Sequence, residues 1–264
     1  MTKRVWNSFS KIIIVAFVTF LTHTPSHANS LEQTRQLLDQ GQFDQAAEMG
    51  QTIATAQGLT LAAEAIAAPV LLGKSDNQRD RAKAALKLAE AAVGLDPNSV
   101  EARLQVALAL GFVTRASNPI TVWRKGLAVE LKDAIAAHQN LAPNDARGHA
   151  LLGAWHYGII RKAGEKRGHK WYDATLIAGN AAYDKALQLA PNDIIIKTNY
   201  ALSLVDDDYD AHQVTALNML EAAINIPAQS ALETAVQSRM KTIVEDWDNK
   251  KFVQSEADDW LDGD

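Results

Sequence analysis

The chain has 264 residues, 47% of them hydrophobic and 22% charged, with a formal net charge of −5 at pH 7 and no cysteine. The lack of thiols excludes disulfides, lipoprotein acylation and thiolate metal sites. The acidic balance argues against general nucleic-acid binding.

Residues 1–28 read as an export signal. Lys3, Arg4 and Lys11 are positive, residues 12–21 are an unbroken apolar run, and Ser26-His27-Ala28 is a small-x-small cleavage site. Ten apolar residues are too few to span a bilayer at about 1.5 Å each. A cysteine-free exported chain suits a bacterial periplasm. The alternative is an uncleaved N-terminal anchor.

From there on, alanine-rich helical patterns run nearly to the end, and no stretch alternates over a strand's length. They are punctuated by a recurring phrase: Leu95-Asp96-Pro97-Asn98, Leu141-Ala142-Pro143-Asn144 and Leu189-Ala190-Pro191-Asn192. The proline stops one helix, and the Asn, Ser or Asp after it can cap the next.

The first repeat covers about residues 31–58. Its Gly41-x-Phe43-x-x-Ala46 junction resembles that of the tetratricopeptide repeat. The second covers about 61–97, with a polar loop at 74–80 and small residues at Ala85 and Ala92. The next prolines follow after 46 and 48 residues, where a plain tetratricopeptide repeat takes about 34. Repeats three and four therefore carry inserts, placed at about 115–126 and 161–172. Each insert holds glycine, basic residues and a tryptophan (Trp123, Trp171).

Ala107, Gly153 and Ala201 sit where first helices pack closely, while repeat three has Leu131 and His138 where alanine is usual. A fifth repeat closes at Pro227, with Ala222 at its small position and Asp206–Asp210 as an acidic inter-helix turn. A capping helix over about 228–246 follows. The expected fold is all-α: a right-handed tetratricopeptide-like solenoid of about five helix pairs plus a C-terminal capping helix, over residues 29–248. Residues 249–264 form an acidic tail, either docked through Trp260 on the basic inserts or, as expected, a disordered solubilising end.

Residues 101–193 resemble the regulator-of-microtubule-dynamics family of tetratricopeptide-like proteins. The likeness rests on Ala107-Leu108-Ala109-Leu110-Gly111, Leu131-Lys132-Asp133-Ala134-Ile135, the phrase from Leu141 to Asp145, and above all His149-Ala150-Leu151-Leu152-Gly153-Ala154-Trp155-His156-Tyr157. The resemblance implies a helical, non-catalytic adaptor acting at membranes, with lipid handling in some members.

The candidate ligand site is the concave face. Helical spacing puts Leu104, Leu108 and Phe112 there in repeat three, Ala150, Ala154 and Tyr157 in repeat four, and Thr198, Leu202 and Val205 in repeat five. This set is apolar and suits an acyl chain or an apolar peptide face, unless the C-terminal helix or the inserts fill the groove as core. Arg115, Arg124, Lys125, Arg161, Lys162, Lys166, Arg167 and Lys170 form a basic rim suited to an anionic head group, an acidic partner or an anionic membrane surface; the alternative is solvated loop charge.

His138, His149, His156 and His169 lack metal-ligand spacing and read as structural. The Asp206–Asp210 cluster lacks the spacing of a calcium loop and reads as a solvated turn. No nucleophile elbow, phosphate loop or spaced carboxylate pair suggests an enzyme, and no cofactor is expected. The expected function is a periplasmic binding scaffold holding an anionic lipid or amphiphile. The alternative is a protein-interaction adaptor in a cell-envelope or transport complex, with possible peripheral membrane contact.

Overall fold

The computed structural model describes residues 27–73 and 77–263. The export signal expected at 1–28 lies almost wholly outside the described residues. Within them there are thirteen helices and no strand. They are α1 (His27–Asp39), α2 (Phe43–Ile53), α3 (Ala56–Leu71), α4 (Gln78–Leu95), α5 (Val100–Arg115), α6 (Pro119–Lys125), α7 (Leu127–Leu141), α8 (Ala146–Ala163), α9 (Glu165–Tyr172), α10 (Leu176–Leu189), α11 (Ile194–Asn225), α12 (Ala231–Glu245) and α13 (Lys250–Asp262). Among the described residues no helix is long and apolar enough to cross a membrane.

The proline phrases end α4, α7 and α10, and the residue after each phrase starts the next helix. Ser99 accepts from the Ala102 N–H at 3.2 Å, Asp145 from Arg147 N at 3.0 Å and Asp193 from Ile196 N at 2.8 Å. Each satisfies an amide that the first turn leaves without a helical partner. The inserts are the short helices α6 and α9. Asn118 caps α6, with Pro119 in its first turn.

Helix pairs pack where one side is small. A Cβ on Gly50 would stand 2.6 Å from the Gly58 carbonyl oxygen, so α2 and α3 cross with almost no gap. A Cβ on Gly153 of α8 would stand 2.6 Å from the ring of Tyr183 on α10, which stacks on Tyr200 of α11 at 4.6 Å. The bulky His138 of α7, where alanine is usual, faces Gly148 of α8. The exception in repeat three is thus compensated across the helix pair. In repeat five the close-packed small residue is Ala223, and Ala222 is exposed. That is a one-residue slip from the expected register.

Two expectations are corrected. The acidic Asp206–Asp210 segment is no inter-helix loop. A single non-helical residue, Asp208 (φ −153°, ψ 98°), joins the two limbs of α11, and its carboxylate caps the second limb through Ala211 N at 3.1 Å. Tyr209, beside it, is buried and donates to the Trp247 carbonyl at 2.8 Å. The 249–264 tail is not a disordered end, because residues 250–262 are α13. Its Val253, Ala257 and Trp260 enter the largest apolar cluster with Leu202, Val205, Leu220, Met240 and Ile243 of α11 and α12. Leu72, just past α3, joins the same cluster. The start of α12 also returns to the α1–α2 turn, where a Cβ on Gly41 would stand 2.9 Å from that of Ala231. The helical array therefore closes on itself.

Gly153→Val should force Tyr183 off its stack and destabilise the fold by about 2 kcal/mol. The measurement is the urea midpoint of the variant against wild type, at unchanged slope.

Candidate functional site

Closure leaves a cavity of about 480 Å³ between the inner helices. Each wall is one helical stripe with the same grammar. On α5 it reads Glu101, Leu104, Leu108, Phe112, Arg115; on α8, Arg147, Ala150, Ala154, Tyr157, Arg161; on α11, Asp193 at the cap, then Ile195, Asn199, Ser203, Asp206. A charged residue opens each stripe in the first turn and another closes it near the end. Between them the α5 and α8 stripes are apolar. Ala67, Ala68 and Leu71 of α3 add a fourth wall behind Glu64, and Leu232 of α12 and Leu261 of α13 complete the enclosure.

All six apolar residues expected on α5 and α8 line the cavity. Those expected on α11 do not. Thr198, Leu202 and Val205 are fully buried; Leu202 and Val205 pack in the α11–α13 core. The α11 stripe that faces the cavity is the adjacent, more polar one. Of the rim cations, Arg115, Arg161, Lys162 and Arg167 line the wall. Arg124, Lys125 and Lys166 are exposed and stand outside it.

The two ends of the cavity differ in sign. At the first-turn end, Glu64, Glu101 and Asp193 meet Arg147. Arg147 forks onto Glu101 through two bonds of 3.0 Å and onto Asp145 at 2.7 Å. Arg35 forks onto Glu64 at 2.9 and 3.0 Å, yet burial still holds the Glu64 carboxyl above its ordinary range. At the other end the cations converge under α13. Arg161 reaches Asp262 at 2.7 Å, Asp258 at 3.4 Å and Asp206 at 3.6 Å, and donates to the Leu261 carbonyl. Lys162 bonds Asp262 at 3.0 Å. Arg115 donates to the Trp260 and Val70 carbonyls at 3.0 and 2.7 Å, tying α13 to α3.

Burial is the largest influence on Asp206 and Asp262. For Asp206 it wins over the pull of Arg161, and with repulsion from Asp258 and Asp262 it pushes the carboxyl up to about 6. For Asp262 burial is overcome by Arg161 and Lys162, which hold the carboxyl below its ordinary range. Three of the four histidines named above are tied to backbone, while His169 is exposed beside Asp173. His138 Nδ1 lies 3.2 Å from the Val100 carbonyl, His149 Nε2 lies 2.8 Å from that of Pro143, and His156 Nδ1 accepts from Thr175 N at 3.2 Å. No group of three or more potential metal ligands converges among the described residues.

Several lining residues escaped the sequence reading. Stepping back one turn from Leu104 and Ala150 would have reached Glu101 and Arg147. Trp123 of α6 and Trp171 of α9 line the cavity while remaining 68% and 57% exposed, so the cavity reaches the surface between the inserts. Leu232 and Leu261 arrive from distant helices, and no local pattern marks them.

A closed array of antiparallel helix pairs around an amphipathic cavity defines a helical-repeat scaffold. A family model described as regulator of microtubule dynamics protein 1-3 matches residues 30–248, most of the chain, and the chain belongs to that family. The match ends before α13, so the helix that covers the cation cluster lies outside it. No curated protein matches the chain.

Because Asp206 titrates higher in the folded chain than its ordinary 3.8, the folded state holds this proton more tightly. Its contribution to stability is full below 3.8 and is lost as pH rises to about 6. Asp206→Asn should remove that fall. The check is the difference in Tm between variant and wild type across this window; parallel profiles would contradict the assignment.

Proposed function

We propose that the protein is a periplasmic, non-enzymatic binding scaffold, wound in the right-handed sense of tetratricopeptide repeats, which holds an anionic lipid or similar amphiphile in its central cavity. The observation that carries the proposal is the apolar waist made by the matched stripes on α5 and α8, set between a cavity end rich in carboxylates (Glu64, Glu101, Asp193) and one rich in cations (Arg115, Arg161, Lys162, Arg167). Leu104, Leu108, Phe112, Ala150, Ala154 and Tyr157 would bury the acyl part. Its volume falls in the range of small-molecule sites, roughly 300–1,000 Å³. An anionic head group would sit at the end lined by Arg115, Arg161, Lys162 and Arg167, where Asp262 already supplies part of the countercharge. The opposite end, with Glu64, Glu101 and Asp193 against Arg147, would repel it, so the charge pattern sets one orientation. The export signal read at residues 1–28 supports the periplasmic location.

Native mass spectrometry of protein purified gently from its own compartment tests this. A discrete added mass that vanishes on denaturation and extracts into organic solvent is expected. Leu108 and Phe112 are only half-buried and face the cavity. Leu108→Asp with Phe112→Asp should therefore keep helicity and weaken amphiphile binding by roughly 100-fold or more, since each carboxylate would be desolvated on binding. Retention of the ligand by this variant would refute the cavity assignment. A bare polypeptide mass from the wild type would favour the adaptor reading.

A further inference from the structure

The edge formed by α6 and α9, part of which borders the cavity opening, has two properties that the closed fold does not require. The first is exposed apolar bulk. Ile120 and Trp123 on α6 are 69% and 68% exposed, and Trp171 on α9 is 57% exposed. Both tryptophans line the same opening, so they lie on one edge of the molecule. The second is charge. Arg124 and Lys125 on α6, and Lys166, Arg167 and Lys170 on α9, are all exposed, and none makes an ion pair or side-chain hydrogen bond among the described residues. The only acid on these two helices is Glu165, with Asp173 just beyond. This stands out on a chain whose net charge is −5.

We infer that this edge docks the protein on an anionic lipid surface, with Ile120, Trp123 and Trp171 entering the headgroup region and the five cations meeting lipid phosphates. Tryptophan rings settle at the water–hydrocarbon boundary, and lysine and arginine stems reach from there to the headgroups. The dimensions favour a membrane over a protein partner. Helices of seven and eight residues are about 11 and 12 Å long, a small platform beside the roughly 800 Å² per partner of a stable protein interface. A bilayer needs no shape complementarity. A second copy offering the same edge would set cation against cation. The contact is peripheral, because no described helix can span a membrane. The inference goes beyond the cavity ligand and survives if that reading fails.

The test is sedimentation of the full chain with vesicles of phosphatidylcholine alone and of phosphatidylcholine mixed with phosphatidylglycerol, with tryptophan emission as a second readout. Trp155, Trp247 and Trp260 are buried, so among the described residues only Trp123 and Trp171 can pass from water to lipid. The apolar run at residues 12–21 and Trp6 could also respond to vesicles, and variants that share them isolate the edge. Wild type should bind the anionic vesicles preferentially, with blue-shifted emission. Arg124→Ala with Lys125→Ala, which lie outside the cavity wall, should bind about 30-fold more weakly. Trp123→Ala with Trp171→Ala should lose both the binding and the shift. Leu108→Asp with Phe112→Asp should bind vesicles as wild type does, even with the cavity empty. Equal binding to neutral and anionic vesicles, or surface variants that sediment like wild type, would overturn the inference.

Discussion

The cation cluster beneath α13 is the constraint on which the rest of the structure depends. Arg161 and Lys162 are largely taken from water, and removing cations from water costs several kcal/mol each unless charge returns at close range. Asp262 and Asp258, both on α13, return it. Arg115 adds two carbonyl contacts that join the end of α3 to the end of α13. Trp260 then buries its ring and donates to Asn199 of the cavity wall at 2.8 Å. Without α13 Arg161 and Lys162 would lose Asp258 and Asp262, and the apolar face of α11 would be uncovered. Polar and apolar terms therefore support the same closure.

Closure also explains why the cavity survives. In an open array the concave face would be free, and in an overfilled one the last helices would plug it. Here α12 and α13 pack on the neighbouring face of α11 and send only Leu232 and Leu261 inward. The two limbs of α11 meet at the one-residue joint of Asp208, which lets the second limb turn back to carry these helices. The apolar waist is left lined rather than filled.

The fold was largely legible in the sequence because its punctuation is chemical. A proline that cannot continue a helix, followed by a residue that caps the next, marks boundaries to within a residue. The α5 and α8 walls were legible for the same reason: Ala107 and Gly153 mark the crowded face, and helical spacing then fixes the adjacent one. The α11 wall was not, because that helix buries two faces. Its more apolar stripe serves the C-terminal core, and the more polar one lines the cavity. The acidic composition of 249–264 suggested a solvated end. Its carboxylates instead have partners about a hundred residues away in sequence, which no local pattern contains. The inserts were visible as excess length, whereas their position at the cavity opening depends on the tertiary path.

The meeting of α12 with the α1–α2 turn has a consequence for how the molecule comes apart. Open repeat arrays behave as one-dimensional chains, in which end units fray independently and stability accumulates unit by unit. A ring has no free end. Opening the seam at Gly41 and Ala231 exposes the α1–α2 turn and the start of α12 together. The first helix pair and α12 then share one fate, although most of the sequence separates them.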